Sequence, residues 1–275
     1  MNETAKSSRL ATRVALIGFG AVGRHLFDAL RDDASVRIAQ IITRPAAHPD
    51  IRQQVGPTVE VVGHVSELAR PPDYALECAG HAALLDHVLP LLRKGVDCGV
   101  ISTGGLADAA IFEALLEASR DGGGRLEVLA GAVGAIDVLA AGFYGELQSV
   151  QYEGRKPPRS WLGTPAEQRC DLTGLKQAFT FFDGSAREAA RDYPKNANVT
   201  ATVALAGLGF EATRVRLTAD PRLDGNQHLV HAQGAFGEFH FQLQGRTLPD
   251  NPRTSMLAAL SALRALRNRK APYIV

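Results

Sequence analysis

The sequence predicts an α/β protein that begins with a doubly wound parallel sheet and continues into a second α/β domain with a mixed, largely antiparallel sheet. Three observations predict this fold. Apolar runs alternate with helix-like segments up to residue 131, a glycine-rich turn follows the first run, and the pattern becomes strand-rich from residue 146. Alternating strands and helices are typical of a parallel sheet covered by helices on both faces.

The bulk composition is that of an ordinary globular chain. The 275 residues are 45% hydrophobic and 21% charged, with a formal net charge of +1, so no overall field attracts nucleic acid or an anionic membrane. No apolar run reaches the roughly 18 residues of a transmembrane helix, and the N-terminal residues lack the apolar core of a signal peptide. The 3 cysteines have no C-x-x-C spacing, which argues against a disulfide framework or a zinc site. We therefore expect a cytoplasmic protein without nucleic-acid or membrane partners.

Strands and helices alternate in the first part of the chain. The apolar run 14–17 predicts a strand, and Val22, Leu26 and Leu30 then recur at the spacing of one helix face. The further predicted strands are 36–43, 59–63, 73–80, 97–103 and 125–131, and the predicted helices are 81–94 and 107–120. We interpret residues 1–135 as one domain.

Strands dominate the second part. The predicted strands are 147–154, 179–184, 213–221, 228–234 and 238–245, of which the last two form an antiparallel hairpin. A capping box of Ser185 and Glu188 predicts that a helix begins there. The stretch 196–207 is interpreted as a helix, although its β-branched residues also allow a strand. Residues 136–253 are therefore expected to form a second domain.

A last helix is predicted at 254–266, where leucines recur every three residues. Thr254 or Ser255 is expected to cap its start. We expect this terminal segment, 254–275, to pack back on the first domain.

A glycine-rich turn, Gly18-Phe19-Gly20-Ala21-Val22-Gly23, matches the G-x-G-x-x-G pattern between a predicted strand and a predicted helix. In a Rossmann domain the first glycine permits the tight turn, the second lets a pyrophosphate approach, and the third lets helix and strand pack closely. Backbone N–H groups at the helix start then hold the anion. The pattern predicts a nicotinamide dinucleotide site, completed at the end of a neighbouring strand by Cys78, Ala79 and Gly80. The alternative is a glycine-rich turn without a ligand.

The end of the second strand bears on the choice of cofactor. An NAD site normally offers Asp or Glu to the ribose about 20 residues beyond the third glycine, whereas this segment reads Ile42-Thr43-Arg44-Pro45. Arg44 can pair with the 2′-phosphate of NADP, or it can be a solvated surface arginine. We therefore expect NAD or NADP as the cofactor, with NADP accepted.

A nicotinamide enzyme also needs a group that handles a proton, and the 8 histidines are the natural candidates. His81 follows a predicted strand at its carboxyl end, where ligands bind in such sheets. His228 and His231 lie three apart on one strand and so face opposite sides, and His240 lies on the polar face of the next strand. The residues alone single out none of them. Cys78 is interpreted as a buried thiol and not as a nucleophile.

Several longer motifs resemble the L-aspartate dehydrogenase family. They are IGFGAVG, ECAGH, ISTGGL, LAGAVGAID, YPKNANVTATVALAG, ADP, NQHLVHAQGAFG and NPRTS, in this order through residues 13–270. The resemblance implies that L-aspartate is oxidised with NAD or NADP to iminosuccinate, which hydrolyses to oxaloacetate and ammonia. It also implies reductive amination in reverse, a link to pyridine nucleotide biosynthesis, and a homodimer formed through the second domain.

The resemblance assigns roles to particular residues of this chain. His228 would be the catalytic residue, a general base that activates water toward the imine carbon. Family sequences often have valine at the position of Gln227, a difference that should not redirect the histidine. Ala132 and Asn198 would contact the cofactor beyond the glycine turn. No metal is required, and the sequence shows no cluster of metal ligands.

The stretch 193–199, YPKNANV, would then face the nicotinamide and the substrate. Asn198 can donate to and accept from the carboxamide or its ribose, while Lys195 and Asn196 at the helix start would bind a substrate carboxylate. Asn196 could instead only cap the helix. The further candidate partners of the two carboxylates, which the sequence does not rank, are His81, Arg155 and Lys156.

Two alternatives stand beside this interpretation. One is another Rossmann oxidoreductase of similar build, a dihydrodipicolinate reductase-like or homoserine dehydrogenase-like enzyme. The other is a non-catalytic dinucleotide-sensing protein, which would not need a histidine aimed at the nicotinamide. An assay of aspartate-dependent cofactor reduction separates the sensor from the enzyme.

Overall fold

The computed structural model describes residues 11–249 and 251–274, which contain two main sheets. The strands of the first sheet are β1 (Thr12–Ile17), β2 (Val36–Ile42), β3 (Glu60–Val62), β4 (Tyr74–Glu77), β5 (Asp97–Val100) and β6 (Leu126–Val128). Their order across the sheet is β3-β2-β1-β4-β5-β6, and all neighbours are parallel. This is the doubly wound order of a Rossmann domain, so the predicted fold class is confirmed.

The first apolar run lies at the centre of this sheet. Residues 14–17 of β1 are each 0% exposed, because helices cover both faces of a parallel sheet. The helices of this part are α1 (Ala21–Ala29), α2 (His48–Val55), α3 (Leu89–Arg93) and α4 (Ala109–Gly122).

The helix expected over 81–94 is present over residues 82–93, but its middle is π-helical instead of α-helical. A π-helical turn, Leu84–Val88, precedes α3. Pro90 explains the irregularity, because it has no N–H to donate and its ring crowds the carbonyl of Asp86 four residues earlier. That carbonyl accepts a hydrogen bond from the ring of His64, whose Nε2 lies 2.9 Å away.

The second sheet has 5 strands in the order β11-β10-β7-β9-β8. They are β7 (Leu147–Lys156), β8 (Phe179–Ser185), β9 (Thr213–Ala219), β10 (Gln227–Gly234) and β11 (Gly237–Gln244). Strands β7 and β9 are parallel and the other neighbours are antiparallel, as predicted. The expected hairpin closes between the paired residues Gly234 and Gly237.

Helices pack on one side of this sheet. They are α5 (Ile136–Phe143), α6 (Ala186–Asp192), α7 (Ala197–Ala206) and α8 (Gly209–Ala212). The capping box predicted at the start of α6 is present, with Ser185 and Glu188 each bonding the backbone of the other. The ambiguous stretch is the helix α7. It is buried on nearly every side, between α5, α6 and the segment 103–107, so its apolar residues need no polar face.

The chain returns to the first sheet at its C-terminal end. A short pair of strands, β12 (Thr247–Leu248) and β13 (Asn251–Ser255), leads into α9 (Met256–Asn268). Ala259 and Ala262 of α9 belong to the same buried cluster as Leu26 of α1. Ser255 occupies the N-cap position, as predicted, but its side chain makes no capping hydrogen bond. None of the helices in the described ranges is long and apolar enough to cross a membrane.

Candidate active site

A cleft of two adjoining cavities runs along the carboxyl ends of the parallel strands. The larger, about 900 Å³, is lined by the glycine turn and by the end of β2. The smaller, about 340 Å³, lies between the first sheet and β7 and β10 of the second. The two cavities share Cys78, Ala79 and Gly80, directly after β4. Ligands bind at this edge of a doubly wound sheet, so the cleft is the candidate site.

The glycines of the turn have three different surroundings. A Cβ on Gly18, whose φ is +99°, would lie 2.9 Å from Ala79, and a Cβ on Gly23 would lie 2.5 Å from the Gly18 carbonyl oxygen. Packing therefore requires glycine at both positions. Nothing lies within 4 Å of a Cβ built on Gly20. This open space beside the start of α1 is where a pyrophosphate can approach the backbone, so the turn fits a dinucleotide.

The predicted cofactor residues are distributed over both cavities. The larger is lined by Gly18, Phe19, Gly20 and Arg44, the smaller by Val22, Ala132 and Asn198, and both by residues 78–80. Of the predicted set, Ala21 and Gly23 line neither cavity. Their role is to support the turn, since Ala21 begins α1 and Gly23 packs beneath Gly18.

Glu77, which was not among the predicted site residues, organises the shared part of the cleft. Its buried carboxylate accepts hydrogen bonds from the backbone N–H groups of Ala79, Gly80 and Ser102 and from the Ser102 hydroxyl, at 2.7–3.1 Å. Burial raises the pKa of Glu77, and the hydrogen bonds oppose that rise. The side chain thus ties the end of β4 to the end of β5. An acid inside an otherwise apolar strand was the signal in the sequence.

Asn198, at the start of α7, is held in a fixed orientation. Its side-chain oxygen accepts from the backbone N–H of Gly104 at 3.0 Å and lies 3.3 Å from Nε2 of His81. Its main-chain oxygen accepts from the Thr103 hydroxyl at 2.7 Å. The amide oxygen is therefore engaged, and the amide NH₂ is the group that Asn198 offers to a ligand.

His81, predicted to bind substrate, is placed elsewhere. It lines the larger cavity together with the glycine turn, and its partner there is Asn198. His81 itself does not line the smaller cavity, and it reaches the groups around His228 only through Asn198. Cys78 donates through its thiol to the Gly18 carbonyl, 3.3 Å away. Burial raises the pKa of that thiol, which agrees with a packing role and not with a nucleophile.

His228 and Tyr152 form a pair inside the smaller cavity. His228 on β10 is 4% exposed, and its Nδ1 lies 2.9 Å from the hydroxyl of Tyr152 on β7. The two rings are nearly parallel, at 20°. Burial, together with the positive charge of Lys156, lowers the pKa of His228 to about 3, so the ring is neutral. A neutral imidazole held at one nitrogen offers the other as a proton acceptor.

Lys156 ends β7 and contributes an ammonium group to the same cavity. Its Nζ donates to Oδ1 of Asn196 at 2.5 Å and lies 5.1 Å from the ring centre of Trp161. Burial lowers the pKa of Lys156 to about 8. Asn196 holds the N-cap position of α7 but makes no capping bond with its side chain, so the alternative in which it only caps the helix is wrong.

The remaining predicted cations differ in position. Lys195 lines the smaller cavity but is exposed. Arg155 points away from it and pairs with Glu153, with 2.8 Å between Nε and Oε1. Of the cations weighed for the substrate carboxylates, the structure therefore brings Lys156 and Lys195 to His228.

A group of metal-ligand type that sequence reasoning missed lies on the opposite face of the second sheet. Ligand atoms of His231, Glu238 and His240 lie within 4.8 Å of one another. His231 and His240 face each other across β10 and β11, with ring centres 4.0 Å apart. The expectation that the chain has no such cluster was wrong, because the strand register that brings these residues together is not visible in the sequence. The cluster lies outside the cleft.

Both halves of the chain match known families. Residues 137–269 match the family model "Aspartate dehydrogenase, C-terminal", and residues 18–129 match "Homoserine dehydrogenase, NAD binding domain". The chain is 47% identical to the L-aspartate dehydrogenase of Ralstonia pickettii, covering 93% of this chain and 97% of the relative. It is also 47% identical to that of Pseudomonas aeruginosa, covering 93% and 96%.

A solved structure agrees with this similarity. The aspartate dehydrogenase of Thermotoga maritima superposes with a TM-score of 0.76 at 28% identity, covering 96% of this chain and 99% of that one. The cleft and its histidine thus belong to a chain that resembles these enzymes along almost its whole length. The protein is a member of the L-aspartate dehydrogenase family.

Proposed function

We propose that the protein is an NAD(P)-dependent L-aspartate dehydrogenase, which converts L-aspartate to iminosuccinate and carries out reductive amination of oxaloacetate in reverse. The observation that carries the proposal is the position of His228. A buried, neutral imidazole lies beside an ammonium group in a cavity that opens onto the glycine-turn cleft. The names of the relatives support aspartate as the substrate.

When bound, NAD or NADP supplies the acceptor for the hydride that leaves Cα of aspartate. The open space at Gly20 supports binding of its pyrophosphate, and the NH₂ group of Asn198 is a donor for the nicotinamide end. Ala132 lines the same cavity as Asn198. These residues hold the dinucleotide across the two cavities, and the protein positions the substrate carbon against it.

His228 is the proposed general base. If its Nδ1 donates to the Tyr152 oxygen, the lone pair of Nε2 is available to take a proton from water as that water adds to the imine carbon. In the reverse direction the same nitrogen returns the proton. Tyr152 is a positioning residue here, since its hydroxyl holds the imidazole at Nδ1.

Acceptance of NADP is proposed from Arg44. This exposed side chain lies at the rim of the larger cavity, beyond the carboxyl end of β2. A guanidinium at this position is suited to a 2′-phosphate, and the segment 42–45 that ends the strand contains no acid for the ribose hydroxyls.

Two further properties are proposed on the same basis. A homodimer formed through the second sheet follows from family membership, and sedimentation velocity of the purified protein tests it.

A cytoplasmic location is supported by the cysteines, since Cys78, Cys98 and Cys170 are all free thiols, as expected in a reducing compartment. Fractionation of cells producing the protein tests the location.

The test of the function is the initial rate of NADP and NAD reduction with L-aspartate, in wild type and in His228→Ala. We expect turnover in the wild type and a fall of about 100-fold or more in the variant, with cofactor affinity unchanged. His240→Ala, which removes an exposed histidine on the other face of the sheet, is the matched control and keeps wild-type turnover. Wild-type protein that binds cofactor but does not oxidise aspartate would establish the sensor instead.

A homoserine dehydrogenase-like enzyme is the second candidate, because residues 18–129 match the NAD-binding domain of that name. The side chains around the smaller cavity decide between the two. Tyr152, Lys156 and His228 all lie in the part of the chain that matches aspartate dehydrogenase. Homoserine in place of aspartate should therefore give no cofactor reduction in the same assay.

A further inference from the structure

We propose that Lys156, held by Asn196, binds one of the two carboxylates of the substrate beside His228. The inference deepens the proposed function by naming the group that recognises the dicarboxylate. It rests on that function for the identity of the substrate, but the carboxylate site itself can be tested without turnover.

The surroundings of Lys156 leave its charge without a counter-ion. No carboxylate of residues 11–249 or 251–274 forms an ion pair with its ammonium group. Its contacts are one neutral acceptor, Oδ1 of Asn196, and the face of the Trp161 ring. An ammonium has three N–H donors. Because a partly buried cation without a partner is costly, the site favours an anion that completes these contacts.

The two neighbouring cations, Arg155 and Lys195, do not fill the same role. Arg155 donates at 2.8 Å to Glu153, which also accepts from the Thr218 hydroxyl at 2.8 Å, and these groups lie on the sheet face turned away from the cavity. Lys195 is exposed, so water screens its charge. Of these three cations, Lys156 is therefore the one that attracts a carboxylate inside the cavity most strongly.

The cavity has the size and composition for such a ligand. Its volume of about 340 Å³ falls in the range of roughly 300–1,000 Å³ usual for small-molecule sites. The neutral polar groups Asn196, Asn226 and Ser255 also line it. A carboxylate on Lys156 would thus find further hydrogen-bond donors within the same space.

Carboxylate binding at Lys156 would also act on His228. The positive charge of Lys156 is one of the two causes that hold the pKa of His228 low. An anion on Lys156 offsets that charge, so the imidazole becomes a better proton acceptor when substrate is present. The titratable groups that share the cavity with His228 are Cys78, Tyr152, Lys156 and Lys195.

The test measures binding of succinate, a dicarboxylate that cannot be oxidised at an amine, to the NADP-loaded protein by isothermal titration calorimetry. Lys156→Met keeps the length of the side chain and removes its charge. We expect its dissociation constant for succinate to rise about 10- to 100-fold, the usual worth of a hydrogen bond to a charged group. Lys156→Arg should recover part of the affinity.

Lys176→Met is the matched control, because Lys176 is an exposed lysine of the same half of the chain that lines neither cavity. It should bind succinate as the wild type does. All variants should bind NADP equally, which shows that they are folded. Wild-type affinity for succinate in Lys156→Met overturns the proposal, and so does an equal loss in Lys176→Met.

Two analogues show which carboxylate Lys156 binds. L-alanine retains the α-carboxylate of aspartate, and β-alanine retains the β-carboxylate. The analogue whose inhibition constant against aspartate rises in Lys156→Met identifies the carboxylate that Lys156 binds. If both analogues inhibit Lys156→Met as strongly as they inhibit the wild type, the proposal is overturned. A protein that binds succinate through Lys156 but does not oxidise aspartate would retain the carboxylate site and lose the proposed function.

Discussion

The imidazole of His228 is held from a neighbouring strand, with 2.9 Å between its Nδ1 and the hydroxyl of Tyr152. In the register of β10 and β7, His228 lies opposite Gly154, not opposite Tyr152. A Cβ on Gly154 would lie 2.8 Å from the Tyr152 hydroxyl. The missing side chain at residue 154 therefore leaves the space in which the tyrosine reaches diagonally across to the histidine.

Tyr152→Phe should lower activity more than cofactor binding. The change leaves Nδ1 of a buried imidazole without its partner, which costs about 1–3 kcal/mol of folding free energy. We expect kcat with aspartate to fall about 10-fold, since the ring is no longer held in one tautomer. Steady-state kinetics and urea unfolding measure both effects. Tyr74→Phe removes a buried hydroxyl that donates to Glu127 far from the cleft, and it should affect stability alone. An unchanged kcat in Tyr152→Phe would contradict the positioning role.

Gly18→Ala and Gly20→Ala should fail in different ways. The first places a Cβ 2.9 Å from Ala79 at a φ of +99°, so it should destabilise the protein with or without cofactor, by about 1–3 kcal/mol. In Gly20→Ala the added Cβ has no other atom within 4 Å. This variant should leave the melting temperature of the cofactor-free protein unchanged and weaken NADP binding about 10-fold or more. Equal NADP affinity in Gly20→Ala and wild type would place the pyrophosphate elsewhere.

Arg44→Ala should change the choice between the two cofactors. Loss of one exposed phosphate contact is expected to raise the dissociation constant for NADP about 10-fold and to leave that for NAD within about 2-fold. Fluorescence titration of the bound reduced cofactors measures both. Arg93→Ala, an exposed arginine that lines neither cavity, is the control. An unchanged ratio of the two constants would mean that Arg44 is a solvated surface residue.

Succinate binding should weaken at alkaline pH. Burial lowers the pKa of Lys156 to about 8, so the ammonium that attracts the carboxylate is lost as the pH rises through that value. Below it the lysine is charged and the affinity is constant. Above it we expect the dissociation constant to rise about 10-fold per pH unit. Lys156→Arg, which stays protonated to above pH ~12, should remove the alkaline limb. A wild-type dissociation constant for succinate that does not change between pH 7 and 10 would contradict the assignment of Lys156 as the carboxylate partner.

Glu77→Gln should destabilise the protein and disorder the cleft. The carboxylate accepts from three backbone N–H groups and one hydroxyl. A glutamine amide presents an NH₂ group where one of the two accepting oxygens was, so at least one N–H donor loses its acceptor. We expect a loss of about 2–3 kcal/mol in the free energy of unfolding, together with weaker NADP binding. Urea unfolding at neutral pH tests the first effect, and a wild-type unfolding midpoint would contradict it.

Local patterns predicted most of the fold. The apolar run 14–17, the glycine turn and the capping box at Ser185 each depend on residues close together in the sequence, and each appears where it was expected. The π-helical turn before Pro90 was not predicted, because helical periodicity does not register the N–H that proline lacks.

The contacts that make the site were beyond such patterns. Tyr152 and His228 are 76 residues apart, and Lys156 and Asn196 are 40 apart. Which side chains meet across strands depends on register, and a shift by one residue reverses every face. The sequence could therefore name Lys156 as one of several cations, but only the fold distinguishes it from its neighbour Arg155, whose side chain points the other way.

The return of the chain through β12, β13 and α9 makes the second sheet an insertion, because the polypeptide enters it after β6 and leaves it after β11. Small side chains of α9, Ala259 and Ala262, pack in the cluster that contains Leu26. A truncated protein that ends at residue 135 would lack this helix, and the apolar surface that the helix covers would be exposed to water. A protein in which a short peptide joins residue 135 directly to the start of β12 would lack the second sheet but retain α9. The nucleotide-binding half can therefore be excised only as a discontinuous piece, and recombination between relatives would have to exchange the inserted segment as a cassette.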